Sequence, residues 1–165
     1  MITFDLGRGH FTYRVAAAIE HDGHVLVCRE TDGDFWFLPG GRCEFMESSH
    51  EAVKRELREE FGVECRVERL LWIVENFFLL TGKSSGAGKT FHEIGLYFLV
   101  SLPPQSPLLE KTGHFPFDEG LLNLEARWFP LSETRSINLV PSFLRAGLSD
   151  PPSTPQHIIH DEIGR

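Results

Sequence analysis

Hydrophobic and polar positions alternate from residue 12 to 19, with Tyr13, Val15, Ala17 and Ile19 on one side. That two-residue period predicts a strand. Asp22-Gly23 is a turn signal, and His24 to Arg29 reads as the returning strand. Thr31 to Asp34 is polar and glycine-containing, a loop before a short aromatic strand, Phe35 to Leu38, that ends at Pro39-Gly40-Gly41. Strand character returns at Val63–Val67, at Leu70–Leu80, at Phe91–Leu102 and near Glu125–Phe129. Between the last two, Pro103 to Asn123 is proline-spotted and irregular.

The period changes to that of a helix only twice. From Ser48 to Phe61 the apolar residues Val53, Leu57 and Phe61 recur at helical spacing. Ser48 and Ser49 are N-cap residues, and Gly62 stands where a left-handed C-cap belongs. A short second helix is predicted around Ser142–Ala146, ahead of Gly147. Strands interrupted by one central and one late helix imply a layered α/β domain over residues 1–149. Residues 150–165 carry three prolines and few core residues, and are expected to form a loosely held tail.

Composition narrows the function classes. Hydrophobic residues make up 41% and charged residues 24%, ordinary for a soluble globular protein. No apolar run is long enough to span a bilayer. An acid sits where a secretory signal would carry its basic region, so a cytoplasmic setting is expected. Cys28, Cys43 and Cys65 form neither a disulfide framework nor a metal-binding spacing. The net charge of −8 disfavours binding to a phosphate backbone, and neither DNA nor a membrane surface is an expected partner. An acidic protein that handles polyphosphates needs divalent cations between the two.

The helix Ser48–Phe61 carries the candidate chemistry. At about 100° per residue, Glu56, Glu59 and Glu60 fall in one sector beside the apolar stripe. Three carboxylates so placed repel one another. A hard cation relieves that repulsion, because magnesium prefers carboxylate oxygen. The competing reading is a solvated acidic face, the usual explanation of a charge run. It does not account for what surrounds the three.

Residues 41–63, GRCEFMESSHEAVKRELREEFGV, resemble the Nudix box. That pattern is a Gly, five residues, a Glu, seven residues, then Arg-Glu-apolar-x-Glu-Glu-x-Gly-apolar. Gly41, Glu47, Arg55, Glu56, Leu57, Glu59, Glu60, Gly62 and Val63 fill every fixed position. At average residue usage, a chance match in such a chain has a probability on the order of one in ten million.

The resemblance implies an α/β/α sandwich with a mixed sheet and the box helix packed on it. It also implies Mg²⁺-dependent hydrolysis of the diphosphate linkage in a small nucleoside diphosphate derivative, with Mn²⁺ as a substitute. Glu56, Glu59 and Glu60 match the metal-binding positions, Arg55 a residue that orients carboxylates, and Glu47 one that supports the loop. Gly40 is a candidate to offer its carbonyl to the metal, with a plain tight turn as the alternative. A catalytic acid outside the box is often present in the family. Glu93, beside His92, and Glu119, before the Glu125–Phe129 strand, are the candidates, against the reading of ordinary surface acids.

Trp36, Phe37, Phe77 and Phe78 are able to stack on a base, with a place in the core as the alternative. The proline that ADP-ribose-specific relatives often carry after the box is absent, Asn76 to Leu80 standing there, and so is the coenzyme A signature before it. The rival class is a non-catalytic Nudix module that senses a nucleotide or binds a partner, and a homodimer stays open. Gly82 to Thr90 imitates a phosphate-binding loop. Its spacing is wrong, and a strand follows where a helix is needed, so a flexible hairpin loop is expected.

Overall fold

In the computed structural model the described residues are 1–80, 88–119 and 122–164, without the side chains of residues 118, 119 and 122. They build one sheet. Its strands are β1 (Thr3–Leu6), β2 (Gly9–His21), β3 (His24–Glu30), β4 (Arg66–Leu79), β5 (Thr90–Ser101), β6 (Phe115–Glu119), β7 (Leu122–Pro130) and β8 (Gln156–Asp161). The order is β6-β7-β3-β2-β5-β4-β8, with β1 paired to β2 off that path. β2 runs parallel to β5 and β4 parallel to β8, and the other pairs are antiparallel.

β2 explains the layering. Val15, Ala17 and Ile19 are buried on one face, while Ala16 and Ala18 are buried on the other. The first face joins Leu26, Phe98 and Val100 beneath helix α1 (Ser49–Phe61). Burying Val53 and Leu57 there contributes roughly 1.5–3 kcal/mol each. The second face packs Trp36, Leu71, Trp72 and Tyr97 against Leu139, Leu144 and Leu148 of the C-terminal segment. That segment holds a single turn of helix, α2 (Leu144–Gly147), so the second covering layer is thin.

The caps of α1 form as expected. Ser48 Oγ accepts from the Glu51 amide at 3.3 Å, and Gly62 adopts φ 65° with its N–H donating to the Arg58 carbonyl. Four expectations change. The two strands expected at Val63–Val67 and Leu70–Leu80 are one, β4, which begins only at Arg66, ends at Leu79 and slips in register at two places. Phe35 to Leu38 is too short to lie in a ladder and makes single bridges, Phe37 to Cys28 and Trp36 to Leu139.

Within the stretch expected to be irregular, β6 forms at the sheet edge. Pro116 is tolerated there, and Phe117 stacks on Phe61 at 4.7 Å. The supposed loose tail is the fourth correction, since residues 156–161 pair with β4 as the opposite edge. Ile158 packs on the second core, Arg69 donates to the Pro152 carbonyl, and His157 Nε2 lies 2.8 Å from Glu75 Oε1. Few apolar residues suffice when a ready edge satisfies the backbone.

Candidate active site

β2 and β3 pair only at Glu20↔Val25 and His21↔His24, and then diverge. The chain from Pro39 to Cys43 fills the opening. Ala17 donates to the Pro39 carbonyl, Val15 to the Gly41 carbonyl, and Cys43 to the Tyr13 carbonyl, at 2.8, 2.8 and 3.0 Å. The box loop is therefore an added rung of the sheet, which aims α1 across its face.

Two glycines make that close approach. A Cβ on Gly40 would stand 2.3 Å from the Val15 carbonyl oxygen, and φ is +135°. A Cβ on Gly41 would stand 2.3 Å from the carboxyl carbon of Glu56. Glu56 is thus seated directly on the Gly41 backbone. The Gly40 carbonyl accepts from Arg14 Nη2 at 3.1 Å, so that glycine is required by backbone crowding whatever its carbonyl binds.

Arg55 organises the acids. Its Nε and Nη2 donate to the two Glu47 oxygens at 2.8 and 3.0 Å, and Nη1 donates to Glu56 and Glu59 at 2.9 Å each. Nη2 also donates to the Arg42 carbonyl at 3.0 Å. Glu47 accepts in addition from the Glu44 amide, which ties the loop to itself. The Arg55 bonds hold the Glu47 carboxyl below the usual carboxylate range, and Glu47 in turn raises Arg55. Cys43 lies buried at the base of the loop, where burial pushes its thiol up to about 11. A thiol so placed has no nucleophilic role.

The three helix carboxylates differ in exposure. Glu59 is open to solvent, Glu56 is mostly covered, and Glu60 is buried beside Val53 and Leu57. Among the described residues no three Asp, Glu, His or Cys side chains converge closely enough to hold a metal ion. Arg55 stands between Glu56 and Glu59. The donor chemistry nevertheless fits a hard divalent cation, since three carboxylates of the box, Glu47, Glu56 and Glu59, surround one guanidinium and every donor is oxygen.

Beside the box lies a cavity of about 410 Å³. Its floor is the β2-β5-β4 surface, with Thr12, Arg14, Asn76 and Glu93. Phe37, Phe78 and Phe91 line its sides, and Phe78 stacks on Phe91 at 4.9 Å. Val140, Pro141 and Arg145 close it from the C-terminal segment. Arg42 lines the cavity while its carbonyl is held by Arg55, so one residue joins the cavity to the carboxylates. Thr12 is 3% exposed, and among the described residues its hydroxyl has no hydrogen-bond partner.

Glu93 is 7% exposed, and burial pushes its carboxyl up against the opposing pull of Arg14, Asn76 and Arg42. It is not a surface acid. Trp36 and Phe77 do not line the cavity. Trp36 packs in the second core beneath the Arg29 guanidinium, 4.5 Å from its ring centroid. Phe77 is buried against His92, on the face opposite Glu93. Adjacent strand residues point to opposite faces, so Phe78 enters the cavity and Phe77 does not.

Glu119 ends β6, and its side chain lies outside the described residues. So does most of the loop from Gly82. Where the chain resumes, Lys89 pairs with Asp5 at 3.0 Å and Thr90 opens β5, with no helix. Arg14, Arg42 and Asn76 were missed by pattern reading. The signal was a polar series, Thr12 and Arg14, on the alternate face of a strand buried on both sides.

The model of the NUDIX domain matches residues 10–146. This chain belongs to the Nudix family. The 8-oxo-dGDP phosphatase NUDT18 of Danio rerio is 33% identical over 140 residues, 76% of this chain and 43% of that protein. YjhB of Bacillus subtilis (strain 168) is 29% identical over 136 residues, 79% of this chain and 61% of the relative. This Nudix chain thus spans less than two thirds of either. The MutT protein from Methanosarcina mazei Go1 superposes with a TM-score of 0.57 at 22% identity, over 88% of this chain and 94% of that one. That likeness concerns the fold, a mixed sheet with the box helix packed on it.

Proposed function

We propose that this Nudix chain hydrolyses the diphosphate linkage of small nucleoside diphosphate derivatives in the presence of Mg²⁺, with Mn²⁺ as a substitute. The observation that carries the proposal is the shared loop. Arg42 lines an aromatic cavity of nucleoside size and is bonded, through its carbonyl, to the arginine that gathers the box carboxylates. The relative named for 8-oxo-dGDP supports the same substrate class. A cytoplasmic setting agrees with three cysteines that form no disulfide.

In this reading Phe37, Phe78 and Phe91 hold the base, and Arg14 and Arg42 draw the phosphates toward the box. Glu56, Glu59 and Glu60 hold the metal, and the Gly40 carbonyl is a further oxygen donor within reach of the loop. The metal, when bound, supplies charge neutralisation on the diphosphate and a more acidic water. Arg55 keeps Glu56 and Glu59 oriented before the metal arrives, and Glu56, seated on Gly41, is the group placed to take a proton from water. Glu93 contacts the substrate from the cavity floor. Glu119 keeps its candidacy as a second acid outside the box.

Product analysis on a panel of nucleoside diphosphate derivatives, with Mg²⁺ and with chelator, tests the proposal. Nucleotide and phosphate-containing products that vanish with chelator are expected. The rival, a nucleotide-sensing module, is favoured by one feature: Arg55 already pairs with Glu56 and Glu59. Tight nucleotide binding with no product under either condition would establish the rival.

A further inference from the structure

The cavity floor contains a line of polar residues that ends outside it. Thr12 on β2, Glu93 on β5, Asn76 on β4 and His160 on β8 are cross-strand neighbours in register. Asn76 Nδ2 donates to Glu93 Oε1 at 3.4 Å. Asn76 Oδ1 lies 2.9 Å from His160 Nδ1, and His160 Nε2 lies 2.9 Å from Ser142 Oγ. With the Asn76 amide oriented as it stands and the imidazole neutral, one assignment of protons satisfies all three bonds. Ser142 donates its hydroxyl to Nε2, His160 donates Nδ1–H to the amide oxygen, and the amide nitrogen donates to the carboxyl.

We propose that His160 is a positioning residue for Glu93, acting through Asn76, so that the last strand sets which substrates the cavity accepts. The inference rests on the cavity being the nucleoside site. An amide in such a line is otherwise free to turn over and exchange its donor for its acceptor. His160 claims the Asn76 oxygen and thereby commits the amino group to Glu93. One Glu93 oxygen is then fixed, and the second is left for the substrate as a hydrogen-bonding group of settled direction. A buried, oriented polar group of this kind rejects a ligand that cannot complete its bond. Thr12, buried beside Glu93 with a hydroxyl that has no hydrogen-bond partner among the described residues, adds a second group on the same floor. The placement also gives β8 a reason to be ordered: its role is to deliver His160 to Asn76.

Two measurements test this on the full chain. In nitrogen-15 spectra the neutral ring of His160 should be the Nδ1–H tautomer, and Asn76→Ala should abolish that preference. This readout needs no turnover, so it separates failure of the relay from failure of the functional reading. A neutral His160 ring protonated at Nε2 in the wild-type chain overturns the proposal.

The second measurement compares kcat/KM for base pairs that differ by one exocyclic amine, guanine against hypoxanthine and adenine against purine. His160→Leu should reduce the larger of the two ratios at least about fivefold, the size expected when one buried hydrogen bond loses its direction. His160→Asn, whose amide nitrogen reaches the position of Nδ1, should restore the ratio. Melting temperatures of the two variants control for a loosened β8. Wild-type ratios near one, ratios unchanged in His160→Leu, or equal loss in both variants at equal stability would each refute the assignment.

Discussion

Residues 41–63 bring Glu47, Arg55, Glu56 and Glu59 together within one loop and one helix. The polar line that crosses the cavity floor and ends behind it instead draws Thr12, Glu93, Asn76 and His160 from four strands, three of them contributed after the box. In the first region, each contact is enforced by a residue a few positions away. In the second, every contact depends on strand register, and one slipped residue would turn each side chain to the other face. A contiguous motif can keep one reaction while strands and tails around it change. Chemistry and choice of substrate are therefore separable in this molecule, and substitutions in the two regions should fail differently.

The largest effect is expected in the box. Glu60→Gln should keep the fold and lower kcat about 100-fold or more, as expected when charge stabilisation through a metal is lost. Steady-state rates with circular dichroism as the folding control check this, and wild-type turnover would remove Glu60 from the metal site. Gly41→Ala comes next. Its new methyl would meet the Glu56 carboxylate at 2.3 Å and must displace it. A fall in kcat of roughly tenfold to a hundredfold is expected, typical of a misplacement near 1 Å.

In the cavity, Phe78→Ala should raise KM severalfold with less effect on kcat, because a stacking surface serves ground and transition states alike. If kcat fell instead with KM unchanged, the two regions would not be separable. Glu93→Gln divides activity from stability. Burial raises the Glu93 carboxyl, so the folded state holds its proton more tightly than the unfolded chain. Stability is then lost as pH rises through the window between the unfolded and the raised folded value. The Gln variant should melt together with wild type in acid and above it at alkaline pH.

Glu47 has the opposite sign and the smallest effect. Arg55 lowers its carboxyl, so its stabilisation is full above the ordinary carboxylate range and disappears as pH falls through the lowered value. Glu47→Gln should make the acid limb of the melting-temperature profile shallower. An unchanged limb would place the acid sensitivity elsewhere.

The same contrast explains what was legible in the sequence. Helix α1 with its Ser48 and Gly62 caps, and the carboxylates at helical spacing, depend on neighbours in the chain, so pattern alone places them. The alternation of β2 located Val15, Ala17 and Ile19 under the helix. It gave Thr12 and Arg14 no role, because alternation marks one face of a strand and does not say that the other face is buried as well. Trp36 and Phe37 looked equivalent as adjacent aromatics, yet only Phe37 reaches the cavity. β8 was hidden for a different reason. Gln156 to Asp161 has too little apolar character to announce a strand, and its order comes from the free edge of β4 and from bonds through His157 and His160.

The most direct test of the division between the two regions is a competition assay in which two nucleoside diphosphate derivatives with different bases share one reaction. Wild type, Glu60→Gln and Phe78→Ala are compared by the ratio of products. The account predicts that Glu60→Gln slows both substrates by the same factor and leaves the ratio at the wild-type value, whereas Phe78→Ala shifts the ratio. A ratio that moves with Glu60→Gln and stays fixed with Phe78→Ala would contradict it.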